Sequence, residues 1–255
     1  MTLDAVTAKL LHTALTATGD ELLAILQQSH LEIVLAALKN RALTENHLLA
    51  LLRRHDLTEE HLKGICRLRI TEESHNIKYS VARHPRTPAQ ELQKVLPHLH
   101  LFELLNICLL ASITPDQKLA AERTIIQRLP LTPLGNKLTL ARRATPTLLE
   151  ALIKEGDPRM IEICLTNPHL KEGVLFQFLR SAAATAETIS MVARHPRWQS
   201  RPNLKEAILT NPRTPLIWFT LWLPRMKPGD LKRLITSNRL TSQQKKAVEE
   251  RLQRS

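Results

Sequence analysis

Val81-Ala82-Arg83-His84-Pro85-Arg86-Thr87-Pro88 and Ile208-Leu209-Thr210-Asn211-Pro212-Arg213-Thr214-Pro215 are two copies of one phrase: an apolar stretch, then Asn or His, then Pro, then Thr-Pro. Degenerate copies read Val192-Ala193-Arg194-His195-Pro196-Arg197-Trp198 and Ile163-Cys164-Leu165-Thr166-Asn167-Pro168-His169-Leu170. A phrase that recurs along a chain marks stacked supersecondary units rather than one globule around one cleft.

The phrase reads as a corner between two helices. Asn or His ends the first helix, and the Pro that follows cannot extend it. The Thr then serves as N-cap of the next helix, with Pro at the first helical position, where no backbone N–H is needed. On this reading His84 and His195 do the capping work of Asn. Thr87 with Gln90, Thr114 with Gln117 and Thr241 with Gln244 have the spacing of a capping box. Thr44, Thr58 and Thr145 mark further corners. Anchors at 87, 114, 145, 170, 198, 214 and 241 leave gaps of 27, 31, 25, 28, 16 and 27 residues. The short gap predicts that one unit has lost part of a helix near Trp198 to Pro202.

Between corners the apolar residues keep helical spacing, as in Leu31, Ile33, Val34, Leu35 and Leu38, or Leu148, Leu149, Leu152 and Ile153. No run alternates like a strand, and 6 glycines in 255 residues leave few tight hairpins. The fold class expected is all-α.

With these residues in view, the chain resembles the leucine-rich repeat variant proteins over roughly residues 30–245 and, more loosely, HEAT and armadillo arrays. The resemblance implies a right-handed α-solenoid, a superhelix of paired helices. Some members of the variant family carry an N-terminal cysteine cluster for an iron–sulfur centre. This chain has no such cluster, and no cofactor is expected.

A solenoid buries its core between neighbouring units, so residues 1–255 are expected to form a single elongated domain. Residues 1–25 would be an N-terminal cap or arm, and 242–255 a capping helix. Only eight residues are aromatic, so the core must be Leu, Ile, Val and Ala. No stretch approaches the ~18 apolar residues of a membrane span. The N-terminus lacks the order of a secretory signal, and the expected location is cytoplasmic. Cys66, Cys108 and Cys164 lie far apart, each after an Ile in an expected helix. They read as buried apolar residues, not as close ligand pairs.

Charge is unevenly spread. Residues 1–128 hold 15 basic and 14 acidic residues, whereas 129–255 hold 21 and 10. In the repeat frame Arg83 and Arg194 sit four residues before the anchor, while Arg86, Arg197 and Arg213 sit one before it. Stacked units would align them into a basic ladder, extended by Arg142 and Arg143, while Arg201 belongs to the window 191–239, which holds ten basic residues against Glu206 and Asp230 together with all three tryptophans. Such a ladder could follow a phosphate backbone without reading sequence. Alternatively, arginines at helix C-termini simply meet the negative end of the dipole. Trp218 and Trp222, four apart, read as core. Trp198, standing in the place of an anchor Thr, is expected to be exposed and able to stack on a base.

No catalytic motif is present: no G-x-S-x-G, no H-E-x-x-H, no phosphate-binding Gly-rich loop. His98 and His100 flank Leu99 without a carboxylate pattern beside them, and no metal site is expected. HEAT-like DNA glycosylases offer one enzymatic reading, with Asp230 as its acidic candidate. Pro228-Gly229-Asp230 is more simply a turn with Asp230 as N-cap. The expectation is a non-enzymatic scaffold for a protein or peptide partner. Nucleic-acid binding through the basic C-terminal half is the alternative, and a glycosylase the third.

Overall fold

The computed structural model describes the backbone from residue 5 to 253 and side chains from residue 8 onward. The first four residues of the expected N-terminal cap and the last two of the C-terminal segment lie outside the described residues. The chain gathers into two compact units, Met1–Gln127 and Arg128–Ser255. The first contains α1 (Ala5–Thr16), α2 (Gly19–Leu26), α3 (Leu31–Ala37), α4 (Glu45–Leu51), α5 (Glu59–Cys66), α6 (Arg69–Glu73), α7 (His75–Arg83), α8 (Ala89–Val95), α9 (Leu101–Leu109) and all but the last residue of α10 (Pro115–Arg128). The second contains α11 (Leu134–Arg143), α12 (Pro146–Ile153), α13 (Pro158–Thr166), α14 (Glu172–Leu179), α15 (Ala186–Arg194), α16 (Pro202–Leu209), α17 (Leu216–Trp222), α18 (Pro228–Thr236) and α19 (Ser242–Gln253). No strand occurs among the described residues, and the protein is all-α.

Local rules place these helices. In α12 the buried Leu148, Leu149, Leu152 and Ile153 fall on one face, Pro146 starts the helix, and the Thr145 hydroxyl accepts the Leu148 amide at 3.5 Å. Asp157 caps α13 in the same way, ahead of Pro158. A helix of seven to nine residues is too short to persist alone, so tertiary burial must hold it. Within the N-terminal unit α1 packs on α3, α2 on α4, and α7 on α9. Within the C-terminal unit α11 packs on α13, α13 on α15, α14 on α16 and α17 on α19. Each such helix rests on the second helix along the chain. Ala14, Ala17, Leu22 and Ile25, from the segment expected as a cap or arm, join the N-terminal core. None of the helices among the described residues is long and apolar enough to cross a membrane.

The corners are held by side chains with two jobs. The Asn211 carbonyl accepts the Arg213 amide at 2.8 Å, while its NH2 reaches the Leu179 carbonyl at 2.5 Å. Asn167 accepts from His169 N at 2.8 Å and donates to Ala141 O at 2.7 Å. Asn40 accepts from Ala42 N and donates to Ala14 O and Ala17 O. His84 replaces the amide atom for atom: Nδ1 accepts from Arg86 N at 3.2 Å, and Nε2–H donates to Arg54 O at 2.8 Å. The capping role expected of His84 is therefore met. His195 keeps the first half, with Nδ1 accepting from Arg197 N at 3.3 Å.

The threonines divide into two kinds. Thr114–Gln117 and Thr241–Gln244 form the expected boxes. Thr87 does not: α8 is capped by Pro88, and the buried Thr87 hydroxyl donates to Val81 O at 2.6 Å. Thr214 donates to Ile208 O and Thr71 to Ile65 O, again six residues back. The last carbonyls of a helix lack intrahelical donors, and a buried hydroxyl in the corner satisfies one more strongly than it would cap the next helix. Asp230 differs as well. Lys227 is the N-cap of α18, and Asp230 lies inside its first turn, paired with Arg233.

The 16-residue gap has another cause than a lost helix. Both α15, with 9 residues, and α16, with 8, are complete, and each ends in its own copy of the corner, at His195 and Asn211. The phrase is a way of ending any helix, not a marker of one fixed position in a unit. At another corner Gly156 adopts φ +72, and a Cβ there would meet Ala183 O at 2.7 Å, so only glycine fits. The cysteines are unpaired, with Cys108 and Cys164 buried and Cys66 half-buried. Burial pushes the Cys66 thiol up to about 11 and those of Cys108 and Cys164 up to about 12, so thiolate is scarce.

Candidate functional site

Helix dipoles and corner carbonyls decide where the arginines go. Arg197 donates from Nη1 to Asn167 O at 2.8 Å and from Nη2 to Pro168 O and Leu170 O at 3.1 Å. Arg213 donates from Nη1 to Ala182 O and, at 3.0 Å, to Ala184 O. Arg86 makes longer contacts of 3.5 and 3.3 Å to Asp56 O and Leu57 O. Three expected ladder residues thus turn their guanidinium groups onto the preceding corner, where carbonyl oxygens of a helix end concentrate negative charge. Arg194 lies along its own helix, donating from Nε to Ser190 O, and Arg83 stands over the Tyr79 ring. Arg201 caps α16, 3.9 Å from Glu172. Arg142 and Arg143 are exposed in the last turn of α11.

Trp198 corrects the expectation of a stacking platform. Its ring is 3% exposed and its Nε1–H donates to Leu165 O at 3.1 Å. Where an anchor Thr bonds a carbonyl six residues back in the helix before it, the larger indole reaches past that helix to the end of α13. Arg197 covers its outer face at 4.3 Å. Trp218 is buried, as expected, and bonds Ser190 Oγ at 3.0 Å.

The C-terminal unit offers a different surface, a groove of about 1390 Å3. Its walls come from α14, α16 and α18 and from the turn after Trp222. Arg180, Lys205, Arg225, Lys227, Arg233 and Arg239 line it, against Glu172, Glu206 and Asp230. Two of the cations rest on aromatic rings of the wall: Arg180 over Phe176 at 5.3 Å and Lys205 over Trp222 at 5.7 Å. A ring beneath a cation fixes the long side chain without neutralising it. Arg233 is paired with Asp230, which holds its guanidinium still more firmly protonated. Glu172 is engaged by Asn203 at 3.3 Å. Arg225, Lys227 and Arg239 are exposed and make no ion pair among the described residues. The charge of the groove is net positive.

None of the eight arginines expected at a polyanion surface lines this groove. The window 191–239 holds five of the groove's six cations, all but Arg180, and what the sequence reading missed was which of its residues fall on helix ends and which face the groove. Among the described residues one trio of groups could hold a metal ion, His75, His100 and Glu103 in the N-terminal unit. Comparison with protein-family models, curated proteins and solved structures found no match to this chain.

Proposed function

We propose that this protein is a non-enzymatic binding scaffold, a helical-repeat solenoid of the leucine-rich repeat variant or HEAT-like kind. Its C-terminal groove takes an acidic segment of a partner protein. The repeat reading is supported by the reach of the corner bonds: His84 to Arg54, Asn211 to Leu179, Gln117 to His84 and Gln244 to Thr214 each span 30 to 33 residues. The observation that carries the function is the groove itself, with six cations against three carboxylates and Phe176 and Trp222 in its wall. A groove built from alternate helices suits an extended or helical ligand, and its sign selects an acidic one.

A nucleic-acid strand is the second reading, favoured by Trp222, which is half-buried and lines the groove. The protein reading is favoured by α17, where Ile217 and Leu221, one turn apart, are 56% and 51% exposed. Phosphate has no use for aliphatic surface. The expected test is fluorescence anisotropy with labelled poly-glutamate and with generic single-stranded DNA and RNA, at salt on the order of 50 and 300 mM. Micromolar binding of poly-glutamate that weakens with salt supports the protein reading. Tighter binding of the nucleic acids would transfer the proposal to them, and no binding of any probe at low salt would end it. A glycosylase would need a carboxylate free for chemistry, and Asp230 is committed to Arg233.

A further inference from the structure

We infer that His75, His100 and Glu103 form a site for a divalent transition-metal ion of the zinc class, which ties the start of α7 to the start of α9. His75 is the first residue of α7, His100 the N-cap of α9 and Glu103 the third residue of that helix. Because α7 packs on α9, side chains 25 to 28 residues apart converge. His75 Nε2 lies 2.8 Å from Glu103 Oε2 and 2.9 Å from Oε1. The two imidazole centroids are 4.5 Å apart, and one ligand atom from each of the three residues falls within 4.8 Å of the others.

The donor set matches the ion class. Two imidazole nitrogens and one carboxylate oxygen are the three protein ligands of open zinc sites, with water in the fourth place. Calcium and magnesium call for more oxygen than this trio supplies. Zinc bonds of about 2.0–2.1 Å put tetrahedral ligand atoms roughly 3.4 Å apart, so side-chain rotation closes the trio and the helices stay where they are. Access is open, since the side chains of His75 and Glu103 retain 37% and 22% of their exposure. A bare cation is disfavoured at helix N-termini, and the Glu103 carboxylate supplies the negative charge that offsets this.

A His75–Glu103 hydrogen bond and a His100 cap each use Glu103 separately, and neither requires the two imidazole centroids to meet at 4.5 Å. His100 already forms a capping box with Glu103, whose Oε2 accepts the His100 amide at 2.8 Å. An imidazole has two nitrogens, so capping and ligation do not compete for one atom. Sequence reading set aside His98 and His100 as a ligand pair. Folding leaves His98 at the end of a 3-10 turn and gives His100 two other companions.

The experiment is titration of the untagged, chelator-treated full chain with ZnCl2 by calorimetry and with CoCl2 by visible absorption. The expected result is 1:1 binding at micromolar or tighter Kd, a tetrahedral cobalt spectrum and a raised Tm with zinc. His75→Ala, His100→Asn and Glu103→Gln each should weaken binding at least about ten-fold. His100→Asn keeps an N-cap and Glu103→Gln keeps the acceptor for the His100 amide, so Tm without metal should stay near that of the parent. Absence of saturable binding of either ion would overturn the inference. So would binding unchanged in the three variants, which would assign it to other histidines.

Discussion

In the N-terminal unit the third residue of a helix is twice a histidine that reaches back to an earlier helix. His47 accepts from Thr44 N at Nδ1 and donates from Nε2 to Gly19 O at 3.1 Å, and His61 does the same with Thr58 and Leu31. In the C-terminal unit Gln244 fills that position, donating to Asn211 O, Pro212 O and Thr214 O. Arg54 clasps Leu26 O and Gln28 O in the first unit, where Arg197 and Arg213 clasp corners in the second. The stitching is common to both units, and the surplus is not. The first unit has 14 basic and 14 acidic residues, the second 22 and 10. Six of the second unit's cations line the groove while Arg197 and Arg213 hold corners, and on the proposed reading this division separates structural arginines from those that meet a partner.

Breaking a corner from below should have the largest effect. Trp198→Ala removes a buried indole and the bond to Leu165 O. It should cost about 3–5 kcal/mol in denaturant unfolding, whereas an exposed stacking residue would cost little. Removing the amide of a corner comes next. Asn211→Ala and Asn167→Ala each strand a buried carbonyl and a backbone N–H, and about 2–3 kcal/mol should be lost. A loss under about 0.5 kcal/mol would mean that water replaces the stitch.

Acid separates the histidine corner from the asparagine corners. Burial, with His55 and Arg86 nearby, holds the His84 pKa below its ordinary value. The unfolded chain takes up its proton near pH 6.5, the folded chain only at lower pH. The contribution of His84 is therefore complete above about pH 6.5 and is lost as pH falls from there through the folded pKa. Amide hydrogen exchange between pH 7 and 5 should show the protection of α7 and α8 falling. His84→Asn, which can make the same two bonds, should flatten that dependence. An equal slope in the variant would place the sensitivity elsewhere. The smallest effect is expected at Arg142, exposed at the end of α11, where Arg142→Ala should change stability by no more than about 0.5 kcal/mol.

The helices were legible in the sequence because short-range rules decide them. Apolar spacing gave Leu148 to Ile153 their face, and Thr145-Pro146 gave the start of α12. The double role of Asn211 was only half legible. Its helix-ending half is local, but its partner Leu179 lies 32 residues away and is chosen by packing. Thr87 was misread because a local motif cannot tell whether the preceding helix end or the following helix start will compete better for a hydroxyl, and Trp198 because its partner, Leu165 O, lies 33 residues back and is chosen by packing. The groove escaped because its cations, such as Arg180 and Arg239, occupy no shared place in the repeat frame. Helix packing brings them together.

The most direct measurement of the central claim is anisotropy of labelled poly-glutamate against two charge-reversed proteins. One carries Arg225→Glu, Lys227→Glu and Arg239→Glu in the groove. The other carries Arg41→Glu, Arg53→Glu and Arg67→Glu, exposed cations of the N-terminal unit. A groove that binds the partner should lose affinity by about ten-fold or more in the first protein and change little in the second. Equal losses in both would mean that net charge alone attracts the probe, and would contradict the assignment of the groove.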